Sequence, residues 1–179
     1  MKAFTTRQIA LNGLAAGLYA AVTILTASFA YGNIQFRLAE ALCLLAALEP
    51  GLTVGLTLGC LIANIFSTVS ALDIIVGTLA TFLSCLLLRH IKKSVLLPLP
   101  LIFCNALLVG AMLSFVSFPA EAFWSGFAIF ALEVAAGEAA VLYFLGLPLY
   151  CFFEKTQLIA RLLGGAAQSD CKARGNVIR

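Results

Sequence analysis

Six apolar runs, separated by short polar breaks, take up almost the whole chain between residues 9 and 153. A helix that crosses a membrane needs about 20 predominantly apolar residues, and the first run, residues 9–29, has that length. Within it Gly13, Gly17 and Ala21 recur every four residues, with Ala16 and Ala20 repeating beside them. Small residues at that spacing let a second helix approach closely, whether from the same chain or from a partner. The second run, residues 37–49, is shorter than a full span and stops at Pro50-Gly51. The third, residues 52–66, carries Gly55 and Gly59 and a polar Asn64 near its end. After a turn at 67–72 comes the fourth, residues 73–88, opened by Asp73, an acid able to cap a helix N-terminus. Asp73, Gly77 and Thr81 then share one face. Pro98 and Pro100 interrupt the start of the fifth run, residues 95–116, and Asn105 lies inside it. The sixth, residues 122–153, exceeds one span and has Pro148 near its end; the pattern predicts a crossing to about Gly146 that continues as an interfacial helix.

Composition turns this pattern into a class. Of 179 residues 63% are hydrophobic and 11% charged, and the mean hydropathy is +1.07. A soluble domain of this length has no interior large enough for so much apolar surface, so the chain reads as an all-α, polytopic integral membrane protein. One six-helix domain over residues 1–163 is predicted, followed by a polar, basic, disordered tail at 164–179. Residues 1–7 are basic and no small-residue cleavage site follows the first run, which therefore reads as a retained helix. Cys43, Cys60, Cys85, Cys104, Cys151 and Cys171 lack CxxC or Cys/His spacing and read as packing residues.

Lys2 and Arg7, the 89–93 loop, and Lys155, Arg161, Lys172, Arg174 and Arg179 fall on one side of a six-span topology. The positive-inside rule makes that side cytoplasmic, with both termini inside the cell. The opposite loops hold Arg37 as their one Lys or Arg. On that topology Gln35, Arg37, Glu40, Asn64, Asp73, Glu121 and Trp124 converge from separate segments on the outer side. Arg37 and Glu40, three apart, share a helix face. Polar groups at such depth are costly unless they serve a purpose, and their convergence predicts a polar pocket that opens outward. Glu133 and Glu138 lie deeper in the sixth run on different faces; either acid can equally be a protonated, hydrogen-bonded structural residue.

Catalytic chemistry finds no support. The chain has no GxxxxGK[ST] phosphate loop, so it does not bind ATP that way. Its single histidine, His90, sits in the basic loop far from the outer acids, which removes a serine–histidine pair. Asp73 is the single membrane-embedded Asp, so a paired-aspartate protease is excluded as well. No metal-ligand cluster and no nucleic-acid surface is visible.

The segment Gly32-Asn33-Ile34-Gln35-Phe36-Arg37, followed by Glu40-Ala41-Leu42, resembles the QueT family. So do Gly51-Leu52, Gly59-Cys60-Leu61-Ile62-Ala63-Asn64, Asp73-Ile74-Ile75 with Gly77, Ala80-Thr81, Gly137-Glu138 and Gly146-Leu147-Pro148-Leu149. These are substrate-binding membrane subunits (S components) of energy-coupling-factor (ECF) vitamin transporters, and the resemblance covers roughly residues 10–150. It implies a six-helix S-component bundle in the bacterial cytoplasmic membrane. Such a bundle captures a queuosine precursor, an aminomethyl-deazaguanine or its cyano relative, from outside. It implies docking on a transmembrane coupling protein and two cytoplasmic ATPases; ATP is used by those partners, and this chain carries no cofactor. The family's docking surface is an Ala-x-x-x-Ala pattern on the first helix, which Ala16 and Ala20 match beside Gly13 and Gly17.

For such a ligand, one carboxylate can accept the ring N–H and exocyclic amine together. Gln35, Asn64 or Arg37 would donate to the ring carbonyl, and Trp124 or Phe36 would stack on the ring. Glu40 and Glu138 are assigned the polar recognition, with Asp73 and Glu133 as alternates; Glu138 is favoured by motif and Glu133 by shallower depth. The rival readings are an S component for riboflavin, thiamine or biotin, or a small stand-alone secondary transporter, although the chain shows no internal repeat.

Overall fold

The computed structural model describes residues 5–26, 37–66 and 71–163. Every regular element among them is helical. The first, α1 (Thr6–Leu25), starts at a capping box in which Thr5 accepts from the Gln8 N–H and the Gln8 side chain accepts from the Thr5 N–H. Then come a tight 3₁₀ segment (Leu38–Ala47), α2 (Leu52–Ile65), α3 (Leu72–Leu87), α4 (Pro98–Ser117) and α5 (Phe123–Val141). A π segment (Leu142–Gly146) continues α5 into α6 (Leu147–Thr156), and a short α7 (Leu158–Leu162) follows.

The expected six spans are shown only in part. Four helical stretches among the described residues have the length and apolarity to cross a membrane: Thr6–Leu25, Leu72–His90, Ser94–Ser117 and Ala120–Thr156. Leu38–Ala47 and Leu52–Ile65, at 10 and 14 residues, reach about 20 Å each at 2.0 and 1.5 Å per residue, short of a hydrocarbon core of about 30 Å. The tail at 164–179, the end of the first expected run and most of the expected turn at 67–72 lie outside the described residues.

Two local expectations are corrected. The prolines of the fifth run start the helix instead of interrupting it. Pro98 opens α4, where a missing N–H costs nothing, after a 3₁₀ turn at Ser94–Leu96. The sixth run continues past Gly146, as expected, and is one 37-residue helical stretch from Ala120 to Thr156. Pro148 cannot donate to the carbonyl four residues back, and the wider π turn ahead of it absorbs that loss. The chain turns only at Gln157, in the left-handed region at φ 52°. Finally, Asp73 does not cap α3, since Ala71 holds that position without a side-chain bond.

The helices α1 and α2 lie parallel, in a register set by glycines. A Cβ added at Gly55 would lie 2.8 Å from the Asn12 Cα, and one at Gly59 would lie 2.7 Å from the Ala16 carbonyl oxygen. At the first contact the Asn12 side chain accepts from the Gly55 N–H at 2.6 Å and donates to the Gln8 carbonyl at 2.9 Å. The Gly55 N–H lies in the first turn of α2, so this bond ties the start of α2 to α1. Asn12→Ala is expected to cost about 1 kcal/mol, the usual worth of a hydrogen bond, read as a lower thermal midpoint of the purified protein in detergent. On the other side of the bundle α4 and α5 run antiparallel. There Gly110 lies against Ala131, and Ser114 donates to the Phe123 carbonyl at 2.7 Å.

Candidate functional site

The 3₁₀ geometry of Leu38–Ala47 matters to the site because three residues per turn stack positions i and i+3 in one row. Arg37, Glu40, Cys43 and Ala46 form that row, and all four are buried. The row faces the end of α2, where Asn64 stands, and the start of α3, where Asp73 stands. Arg37 Nη2 donates to Asp73 Oδ1 at 3.0 Å, to Asp73 Oδ2 at 3.1 Å and to Asn64 Oδ1 at 3.2 Å. Asn64 Nδ2 in turn donates to the Asp73 carbonyl at 3.1 Å, tying α2 to α3. Gly77 leaves room for this knot. A Cβ there would lie 2.7 Å from Asp73 Oδ1, 2.8 Å from Asn64 Nδ2 and 3.2 Å from Arg37 Nη1.

Glu40 is completely buried, and its two oxygens differ in environment. Oε1 accepts from the Tyr19 hydroxyl at 2.8 Å and from Thr81 Oγ1 at 2.9 Å, and Arg37 Nη1 stands 4.0 Å away. Cys60 Sγ lies 3.3 Å from Thr81 Oγ1, and Asn64 Nδ2 donates to that sulfur at 3.4 Å. Among the described residues Oε2 has no hydrogen-bond partner, and neither has Arg37 Nη1. A second buried pair joins α4 to α5, where Asn105 Nδ2 donates to Glu138 Oε1 at 3.1 Å. Asn105 Oδ1 and Glu138 Oε2 are likewise without partners. Glu138 has electrostatic interactions with both Glu40 and Arg37, so the two groups of polar residues share one neighbourhood.

Four of the residues singled out in the sequence (Arg37, Glu40, Asn64 and Asp73) thus meet in one hydrogen-bonded cluster, with Glu138 nearby. Glu133 is only half-buried, so of the two deep acids Glu138 is the one placed among buried polar groups. Trp124 is not brought to the cluster. It is 75% exposed, with its ring against Phe123 and Phe127, and such an outward aromatic suits a membrane interface. Glu121 is exposed too. Gln35 and Phe36 lie outside the described residues.

The first-helix stripe divides in two. Ala16 and Ala20 are buried, with Gly59 of α2 packed on Ala16; in this conformation they are internal packing residues and are not open to a partner. Gly13 and Gly17 face outward with nothing within 4 Å of an added Cβ. Sequence reasoning missed Tyr19, the hydroxyl that fixes Glu40, and did not give Asn105 a role. For Asn105 the available signal was an amide inside an otherwise apolar run, a costly placement without a partner.

Comparison with known proteins decides the family. The family model of the QueT transporters matches residues 9–155. The chain belongs to the QueT transporter family. A QueT transporter is a membrane transport protein, in keeping with the four long apolar helices. No curated protein and no solved structure matches the chain.

Proposed function

We propose that this QueT chain is the substrate-binding S component of an ECF-type importer, and that it captures a queuosine precursor of the 7-deazaguanine class from outside the cell. The observation that carries this reading is the set of buried polar atoms without partners: Arg37 Nη1, Glu40 Oε2, Asn105 Oδ1 and Glu138 Oε2. A buried donor or acceptor left unpaired costs about 1–3 kcal/mol, and a ligand that pairs them recovers that cost on binding. A guanine-like edge supplies the complement. Its ring N–H and exocyclic amine donate to Glu40 Oε2, and its carbonyl accepts from Arg37 Nη1. Asp73 and Asn64 hold the guanidinium from behind, while Tyr19 and Thr81 hold the carboxylate, so the two reading groups are oriented before the ligand arrives.

The site end of the bundle faces outward in a bacterial cytoplasmic membrane, with both termini inside, as the distribution of Lys and Arg supports. The partners are a transmembrane coupling protein and two cytoplasmic ATPases, which supply ATP hydrolysis. Their contact on α1 is the open Gly13 and Gly17 face, since Ala16 is packed against α2 and Ala20 is buried.

The decisive test is calorimetric titration of purified protein with 7-deazaguanines. Glu40→Gln keeps a carbonyl for Tyr19 and Thr81 but turns an acceptor toward the ligand into a donor. It is expected to weaken binding by about 1–3 kcal/mol, roughly 5- to 150-fold. Unchanged affinity would remove Glu40 from the site. Mass spectrometry of the small molecule retained by gently purified protein identifies the ligand independently.

A further inference from the structure

Two sets of side chains hold the reading groups from behind, and one buried sulfur, that of Cys60, lies between them. Behind the guanidinium, Asn64 Oδ1 accepts from Arg37 Nη2 at 3.2 Å, while Asn64 Nδ2 donates to the Asp73 carbonyl at 3.1 Å and to Cys60 Sγ at 3.4 Å. Behind the carboxylate, Thr81 Oγ1 lies 2.9 Å from Glu40 Oε1, 3.1 Å from the Gly77 carbonyl oxygen and 3.3 Å from Cys60 Sγ. A threonine hydroxyl has one proton and two lone pairs. Glu40 Oε1 is the nearest of the three neighbours, and a carboxylate is a stronger acceptor than a carbonyl or a thiol, so the proton goes there. The hydroxyl oxygen is then free to accept, and the Cys60 S–H supplies the donor. The Tyr19 hydroxyl, which also donates to Oε1, is in reach of the same sulfur.

We infer that Cys60 is a positioning residue for ligand recognition, its thiol joining the side chains that hold the Arg37 guanidinium to those that hold the Glu40 carboxylate. This rests on the reading of Arg37 Nη1 and Glu40 Oε2 as the groups that meet the ligand, and deepens it. The bonds run from Arg37 through Asn64, Cys60 and Thr81 to Glu40, and the circle closes where Arg37 Nη1 stands 4.0 Å from Glu40 Oε1. Without the sulfur, the Thr81 hydroxyl can turn its proton to the Gly77 carbonyl, the back-bond a threonine makes within a helix. Glu40 Oε1 would then keep Tyr19 alone, and the carboxylate would lose its fixed orientation. Hydrogen bonds in series also polarise one another. A ligand that draws charge toward Glu40 Oε2 therefore weakens the Thr81 bond and, through it, the pull on the Cys60 S–H.

The test joins infrared spectroscopy of the S–H stretch, which absorbs where no other protein group does, to titration of purified protein with 7-deazaguanines. The Cys60 component is the part of the band that Cys60→Ser removes. In ligand-free protein Thr81→Val should move that component to higher frequency, since the acceptor then left to the thiol is the Gly77 carbonyl at 3.8 Å. Ligand binding to wild type should move it in the same direction. Cys60→Ala should weaken binding about 3- to 10-fold, the worth of one hydrogen bond. Cys60→Ser, which restores a donor and an acceptor, should stay within about threefold of wild type. Cys85→Ala removes another fully buried thiol. It should lower the thermal midpoint and leave affinity unchanged, which separates loss of packing from loss of positioning. A Cys60 component that Thr81→Val leaves in place, or wild-type affinity in Cys60→Ala, would overturn the positioning role and leave the ring-edge reading intact. Failure of wild type to bind any deazaguanine would instead overturn the ligand reading, and the ligand-free Thr81→Val spectrum would still decide whether Cys60 and Thr81 are joined.

Discussion

Asp73→Ala is expected to lower the stability of the folded chain by about 3–5 kcal/mol, the cost of removing one partner from a buried ion pair. The substitution removes two of the three hydrogen bonds made by Arg37 Nη2, leaving Asn64 Oδ1 as its one remaining acceptor. The guanidinium is 3% exposed, so the loss of its carboxylate partner leaves a buried charge. Nor can it lose its proton, since arginine stays charged in proteins. The double variant Arg37→Met/Asp73→Leu removes both charges and should recover most of the loss, because apolar pairs of similar volume replace buried ion pairs with little penalty. It should nevertheless lose deazaguanine affinity, since Arg37 Nη1 is gone. Thermal unfolding in detergent paired with calorimetry reads both quantities. If the double variant proves as unstable as the sum of the two single ones, Arg37 and Asp73 do not act as a pair and the account of the cluster fails.

Much of that cluster was legible in the sequence because polar residues in a long apolar chain are few and each demands a reason. Arg37, Glu40, Asn64 and Asp73 stand out against their surroundings, and all four end up in contact. Their roles were less legible. Asp73 at a helix start suggests a cap, but the nearby guanidinium is a stronger partner than backbone N–H groups, and the carboxylate turns to it. The compact turns of Leu38–Ala47 are invisible to periodicity, because positions three apart share a face in both an α-helix and a 3₁₀-helix. Tyr19 was hidden for a different reason. A tyrosine in an apolar helix fits hydrocarbon on its own, and only the arrival of Glu40 from a separate segment gives its hydroxyl a task. Trp124 failed as a candidate because an aromatic near a helix start suits a membrane interface as well as a binding pocket. The small-residue stripes of α1 posed an ambiguity that spacing alone does not resolve, since the Gly13–Gly17 and Ala16–Ala20 sets both repeat every four residues. Which one faces inward depends on where α2 lies, and that is a tertiary fact.

That division of α1 supports a second large effect. Gly59→Leu should destabilise the protein by about 3 kcal/mol or more, the upper part of the range for overpacking a close-packed interior. The first added carbon alone would lie 2.7 Å from the Ala16 carbonyl oxygen and 2.8 Å from the Tyr19 Cβ. One neighbour is backbone and the other is the root of its side chain, so neither gives way by changing rotamer. The helices α1 and α2 must separate, and Tyr19 would be carried away from Glu40, so ligand affinity should fall together with stability. Gly17→Leu is the control on the opposite face. With nothing within 4 Å of its Cβ position, it should change stability by no more than about 0.5 kcal/mol, as is usual for an outward site, and leave ligand affinity untouched. If the coupling protein docks on the Gly13 and Gly17 face, Gly17→Leu should still abolish uptake in vesicles that contain the complete importer, because a leucine there keeps the partner helix from close approach. Binding and stability would then be lost at Gly59 and transport alone at Gly17. Normal uptake by Gly17→Leu would place the docking surface elsewhere on the bundle, while an unperturbed melting curve for Gly59→Leu would refute the parallel α1–α2 register from which the geometry of Tyr19 and Glu40 follows.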